Sequence, residues 1–524
     1  MTQPSDRYSD EQVQLCLVLL SALGVLRLSH VNDQPVEDLG LPLDTARRPD
    51  GDTLDRYLNR LIELDEVDSD LSVEDRLGQI RPGGLIDTAQ QASLCGWVEA
   101  GLLAGKVWYF DDHVVEYTGQ AAVGKTKHGT KQISVKAVNR YTLSNGLCSL
   151  SEYFPLTVSY AEALQQLVSK ANNCLLEVDR IRLLSFDRAG WDGELLTWLS
   201  GEQDIAPITW VKRTKTNIKL LAQVAEEEFV NLEQEMLVGK EGQHQVVRLA
   251  DTTLNFAQLG QQRVVVLETR DQKRLGIYTT ALRPGEASLD EQQVMSTTDL
   301  MAAMRFKQRI ENQFKVDVHE MASDALPSHR TYKVTMTEPY DEAEAEKKRE
   351  NARRRLSKYT TQTQDLQQLL DAQEVDRHQF NLLNNRTERL RRKAEREIET
   401  ISQKLDDVHH DAGGQAILAT TIQVLDVRKL TLLNLFKTHA LVASKILADQ
   451  LGMAEAGPNR LRRAFLAFGD RVEFDHEKQI AMVYARRFPR ASTQQAYERF
   501  CGLLHDVPVT LTRNGISYRV RFSW

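Results

Sequence analysis

The chain alternates between stretches with a helical apolar rhythm and stretches that read as strands. Residues 10–30, containing "LCLVLLSALGVLRL", predict a core helix whose apolar run is too short to span a bilayer. "PDGDTLDRYLNRLIEL" places Thr53 near a helix N-terminus, with Leu54, Leu58 and Leu61 on one face. From Lys106 the pattern changes. "KVWYF" reads as a short apolar strand, "QISVKAVNRYTLS" alternates, and "GLCSL" is brief and apolar. "YAEALQQLVSKANNCLLEV" reads as an amphipathic helix and "RIRLLSFD" as a strand ending in an acid. "GELLTWLSG" is a short helix and "ITWVKR" another strand. Three adjacent strands followed by helix–strand crossovers predict a mixed α/β sheet with helices on its faces.

Between Lys215 and about Thr297, "QVVRLA", "RVVVLETR" and "RLGIYTT" predict a β-rich insertion that extends the sheet. A helix is expected from about Thr298 to His319. Residues 341–410 are dominated by charge, with Ile398, Ile401, Leu405 and Val408 forming a helical seam. After the break at Gly413-Gly414, "ILATTIQVLDVRKLTLLNLFKTHALVASKILADQLG" is expected to form one apolar helix. The tail has the makings of a small α+β module, with Asn514-Gly515 as a hairpin turn. The chain thus divides into four regions: an N-terminal helical one (1–104), a sheet domain (105–335) with the insertion at about 215–297, a long helical region (336–455), and the C-terminal module (456–524).

Composition narrows the class. A chain of 524 residues needs several domains, and its 41% hydrophobic and 27% charged content is that of a globular protein. The net charge of −8 excludes a uniformly basic coat but permits local basic patches. Cys16, Cys95, Cys148, Cys174 and Cys501 are scattered without a C-x-x-C pair, which argues against a zinc module or disulfide framework and suits a reducing cytoplasm. The polar, acidic start "MTQPSDRYSDEQ" does not read as a signal peptide.

The candidate chemistry lies in acids at strand ends. Asp111 follows the first strand, Asp187 ends the fourth, and Glu311 lies on the helix after the insertion. If the first and fourth strands lie side by side, Asp111 and Asp187 meet and the final helix can present Glu311 beside them. Carboxylates of this kind suit a hard cation such as Mg2+. Two such ions can activate an attacking oxygen and stabilise the leaving one at a phosphodiester. No Ser, Cys or His triad competes. "GQAAVGKT", Gly119 to Thr126, matches the phosphate-loop pattern letter for letter, but the residues after it alternate like a strand rather than opening a helix.

Three blocks carry a family resemblance. "YFDDHVVEYTG" holds a D-x-H-x-x-x-Y-x-G pattern (Asp111, His113, Tyr117, Gly119), and "LLSFDRAGWDGELLTWL" holds F-D-R-x-G-W (Phe186 to Trp191). "RFKQRIENQFK" holds Arg309, Glu311, Asn312, Phe314 and Lys315. In order and placement the set resembles the catalytic blocks of DDE transposases from bacterial insertion sequences, over roughly residues 10–330. The resemblance implies a ribonuclease-H-like fold, Asp111, Asp187 and Glu311 as catalytic and metal-binding triad, and two Mg2+ ions, for which Mn2+ can substitute. It implies double-stranded DNA as partner, both element ends and target, and a homo-oligomer, since two ends must be held together. It also implies a cytoplasmic, nucleoid-associated protein with no membrane contact. The third block departs from a fuller signature seen in one branch, having Met304, Lys307 and Val318 at its Tyr, Arg and Lys positions.

Other residues keep two readings. Asp112 is the fallback for Asp111, because neighbours on a strand face opposite ways. His113 is either a DNA contact, a carboxylate-orienting group or a structural histidine. Arg188, Lys307, Arg309, Asn312 and Lys315 sit where phosphates would pass, with internal salt bridges as the alternative. The helices near the N-terminus resemble a helix-turn-helix in outline. The clusters Arg353-Arg354-Arg355 and Arg391-Arg392-Lys393 read first as a solvated helical face. The competing functions are a nuclease that cuts without joining and an inactive descendant that only binds DNA.

Overall fold

The computed structural model describes residues 8–22, 28, 31, 49–67, 80, 82–103, 105–121, 123–128, 133–145, 148–238, 244–286, 291–305, 331–410, 416–450, 471–484, 487, 491–506, 510–513 and 516–523. Two compact units result, 1–331 with 425–524, and 332–424.

The first unit opens with three helices, α1 (Asp10–Ala22), α2 (Gly51–Val67) and α3 (Leu85–Glu99). Asp50 caps α2, its Oδ1 accepting the Thr53 backbone N–H at 2.7 Å. The strands β1 (Trp108–Glu116), β2 (Lys125–His128), β3 (Ile133–Ser144) and β4 (Cys148–Phe154) come after them. Next are α4 (Tyr160–Cys174), β5 (Leu183–Phe186), α5 (Gly193–Thr197), β6 (Ala206–Trp210) and α6 (Lys215–Ala222). The insertion supplies β7 (Val230–Val238), β8 (His244–Phe256), β9 (Gly260–Thr269) and β10 (Arg274–Thr279). Residues 297–305 are helical.

All ten strands join one mixed sheet in the order β2-β3-β1-β5-β6-β10-β9-β8-β7, with β4 paired to β3. The central three, β1, β5 and β6, are parallel, and antiparallel pairs flank them on both sides. β5 is short, apolar and buried throughout, as a parallel strand covered on both faces must be. On one face Trp108, Phe110, Tyr141 and Phe186 pack against Leu164, Leu167 and Val168 of α4. On the other, Leu183, Ile208, Val265 and Ile277 meet Met295, Leu300 and Met304. Lys125 and Thr126 open β2, antiparallel to β3, so the "GQAAVGKT" stretch leads into a strand and not a helix.

The second unit contains β11 (Thr331–Pro339), α7 (Glu342–Asp371), α8 (Arg377–Asp406), β12 (Val408–His410) and β13 (Ala416–Leu425). The strands form a sheet in the order β11-β13-β12. Two expectations are corrected here. Residues 416–425 form a strand instead of the start of an apolar helix, because Ile417, Thr420, Thr421, Ile422 and Val424 are β-branched and suit a pleated surface. Val408 pairs with Leu418 in the sheet and so is not part of the helical seam.

Back in the first unit, α9 (Arg428–Gln450) begins only after Asp426, whose side chain accepts the Arg428 backbone N–H. Leu432, Leu433 and Phe436 of α9 close a core with Leu17, Leu54 and Leu58. A last sheet, β14 (Arg471–Asp475), β15 (Ile480–Tyr484), β16 (Thr510–Arg513) and β17 (Ile516–Ser523), accompanies α10 (Ala491–Asp506). Among the described residues no helix is long and apolar enough to cross a membrane.

Candidate active site

The site is built where β1 outruns its parallel neighbour. β1 and β5 pair from Trp108↔Leu184 to Phe110↔Phe186, and there β5 ends. β1 carries on to Glu116 because β3 pairs with it along the whole length from Tyr109 to Glu116. Asp111, Asp112 and His113 therefore lie within a continuous strand, where a strand end was expected. Phe110 and Phe186 are fully buried register partners, so the next residues, Asp111 within β1 and Asp187 just past the end of β5, lie at one level on neighbouring strands. Neighbouring strands lie about 4.8 Å apart.

Strand alternation sorts the two adjacent acids. Asp112 is opposite Tyr141 and shares the face of Phe110, beneath α4. Asp111 is opposite Thr142 and faces the other way. Ser185, two positions before Asp187, shows which elements cover that second face, since its hydroxyl meets the Met304 sulfur at 3.6 Å. Asp187 keeps an extended backbone, and its carboxylate accepts the Arg188 backbone N–H at 2.7 Å, starting a single tight turn through Gly190.

Tyr160 is the residue that the sequence pattern did not single out. It is the first residue of α4, placed by a capping box between Ser159 and Glu162. Its ring stands edge-on to Phe110 and to Tyr141. Its hydroxyl accepts the Asp187 backbone N–H at 3.3 Å. Burial holds the phenol well above its ordinary pKa, and the negative charges of Asp112, Asp111 and Asp187 push it further. One neutral hydroxyl thus senses all three acids. Tyr141 beside it is raised to about 12, by burial first and then by Asp112. Gly190 permits this packing, because a Cβ there would come within 2.8 Å of both the Phe186 and Tyr160 rings.

Basic residues flank the acids. Phe186 is level with Thr209, so Arg188 and the segment Val211-Lys212-Arg213 emerge from adjacent strands. Arg188, Lys212 and Arg213 border one small depression with Trp210 and Gly276, and all three are exposed. Lys212 and Arg213 were not singled out from sequence, where "ITWVKR" reads only as a strand. His113 is opposite Arg140 in β3.

Glu311, Lys307, Arg309, Asn312 and Lys315 lie outside the described residues. Among the described residues, no three His, Cys, Asp or Glu side chains gather closely enough to hold a metal ion. Asp111 and Asp187 are two oxygen donors of the kind Mg2+ takes, and they fit such an ion in chemistry and in level.

No family model matches the chain, and no curated protein does. Among solved structures it is similar to a piggyBac transposase in a synaptic complex with hairpin DNA, at 10% identity and a TM-score of 0.31. The alignment covers 61% of this chain and 62% of that one. At that TM-score the likeness decides neither fold nor activity.

Proposed function

We propose that the chain is a DNA-cleaving and DNA-joining enzyme of the DDE transposase kind, with a ribonuclease-H-like catalytic domain. The observation that carries this reading is the parallel register of Phe110 with Phe186, which brings Asp111 and Asp187 level. Support comes also from the strand order, with the four antiparallel strands β1 to β4 leading into the parallel strands β5 and β6, and with β5 lying beside β1. Glu311 is the proposed third acid. In the sequence it stands seven positions beyond Met304.

Asp111, Asp187 and Glu311 would hold Mg2+, which when bound supplies charge stabilisation at the attacking and leaving oxygens. Arg188, with Lys212 and Arg213, meets the phosphates on either side of the scissile bond and holds the strand in line. His113, Lys307, Arg309, Asn312 and Lys315 extend that contact. Tyr160, neutral throughout the working pH range, keeps the Asp187 turn in place. Water attacks the phosphodiester at the element's end, and the released 3′-hydroxyl then attacks the target duplex. Two ends must be held at once, so the working form is an oligomer.

The test is Mg2+-dependent cleavage of DNA spanning both borders of the gene, comparing the wild type with Asp187→Ala. A loss of about a hundred- to a thousandfold is expected, the scale of removing an essential electrostatic group. Equal activity in the two proteins rejects the site. Cleavage without joined products identifies a nuclease instead of a transposase.

A further inference from the structure

The hairpin of α7 and α8 carries a charge arrangement that the active site does not use. On α8, Arg391 is paired with Glu388 and Glu395 at 2.9 Å each, and Arg392 lies 3.9 Å from Glu388. Arg386, Arg389, Lys393 and Arg396 are different. They are exposed, and no carboxylate among the described residues forms an ion pair with any of them. Their spacing of three, four and three residues puts them on one helical face. They line one open depression with Leu390, Thr400 and Ile401. The single acid there, Glu397, is engaged by Arg355 of α7 at 2.8 Å.

Ten residues of helix advance about 15 Å, so the four cations form a straight stripe rather than a point-like cluster. A stripe of that kind matches a polyanion. Duplex DNA offers one negative charge for about every 1.7 Å of its axis. The guanidinium fork binds phosphate oxygens in pairs. A lipid surface would instead need a broad apolar face, whereas the depression adds only Leu390 and Ile401 and the exposed apolar residues just before Arg386 are Leu382 and Leu383. We infer that the Arg386–Arg389–Lys393–Arg396 face of the hairpin is a second, sequence-independent binding surface for the backbone of duplex DNA. The choice of duplex DNA rests on the function proposed above, whereas the unpaired stripe does not.

The experiment uses the full chain and a 30-base-pair duplex of arbitrary sequence in EDTA, with binding followed by fluorescence anisotropy across a salt series. Arg386→Gln/Arg389→Gln/Lys393→Gln should bind roughly 10- to 100-fold more weakly at 0.1 M salt. Its log–log salt slope should be shallower by about 2 to 3, near 0.9 for each phosphate no longer neutralised. Arg386→Lys/Arg389→Lys keeps the charge and should keep the slope, and Arg391→Gln should leave it unchanged. The same shift is expected in an Asp187→Asn background, so this result stands apart from the fate of the cleavage site. An unchanged slope in the triple variant overturns the inference. It is equally overturned if that variant binds DNA normally but self-associates differently by light scattering, since the stripe would then serve a second copy of the chain.

Discussion

The sheet around β1 and the α7–α8 hairpin use charge in opposite ways. In the sheet, two acids stand one residue beyond the buried core. Phe110 and Phe186 immediately precede them and are fully buried. In the hairpin, charges cover nearly every turn, and the described residues buried on the two helices are small, Ala345, Ala352, Thr387 and Ala394. A position of that kind fixes a few groups in place, as chemistry requires. A stripe on a helix surface tolerates motion and suits non-specific contact with a polyanion.

The largest expected effect is on the sheet side. Phe110→Ala removes a fully buried ring from the main core and should cost about 3–5 kcal/mol in chemical denaturation. A loss under about 1 kcal/mol would mean the acids are not anchored by that core. Gly190→Ala forces a Cβ against the rings of Phe186 and Tyr160, and should cost about 1–3 kcal/mol while lowering cleavage. Full activity with reduced stability would separate the Asp187 turn from the chemistry.

A gentler effect concerns pH. His439 of α9 meets Ser93 at 3.0 Å and stands edge-on to Trp97, and burial holds its pKa below the ordinary 6.5. The unfolded chain therefore takes up the proton first as pH falls. The stabilising contribution of neutral His439 is complete above about pH 6.5 and declines below it. His439→Gln should flatten that part of the stability profile, and an unchanged profile contradicts the assignment. The smallest effect belongs to the hairpin. Arg355→Ala breaks a largely exposed pair with Glu397 and should cost less than about 1 kcal/mol, shrinking further in salt.

The same contrast explains how much could be read from the residues alone. "LLSF" was legible as a buried strand because both faces of a parallel strand are apolar. Three of the four insertion strands were legible, β8 and β9 from their β-branched runs and β10 from Ile277-Tyr278-Thr279, whereas β7, with its acidic and amide residues Glu233, Gln234 and Glu235, was not. The continuation of β1 through Asp111 and Asp112 was hidden, since it depends on pairing with β3, some thirty residues on. Tyr160 looked like one more aromatic at a helix start, and only its packing over Phe110 places it among the acids. In 416–425, apolar spacing pointed to a helix while β-branching and pairing with β11 and β12 produced a strand. In the hairpin, the abundance of charge was plain, but which arginines are already neutralised by glutamates became visible only with the side chains in place.

The central claim, that Asp111 and Asp187 act as one pair of donors on the side of the sheet away from Asp112, is most directly tested by Mn2+ titration followed by electron paramagnetic resonance. Asp111→Asn and Asp187→Asn should each weaken binding at least tenfold, while Asp112→Asn binds as the wild type does. If Asp112→Asn loses the ion and Asp111→Asn keeps it, the pairing derived from the register is wrong.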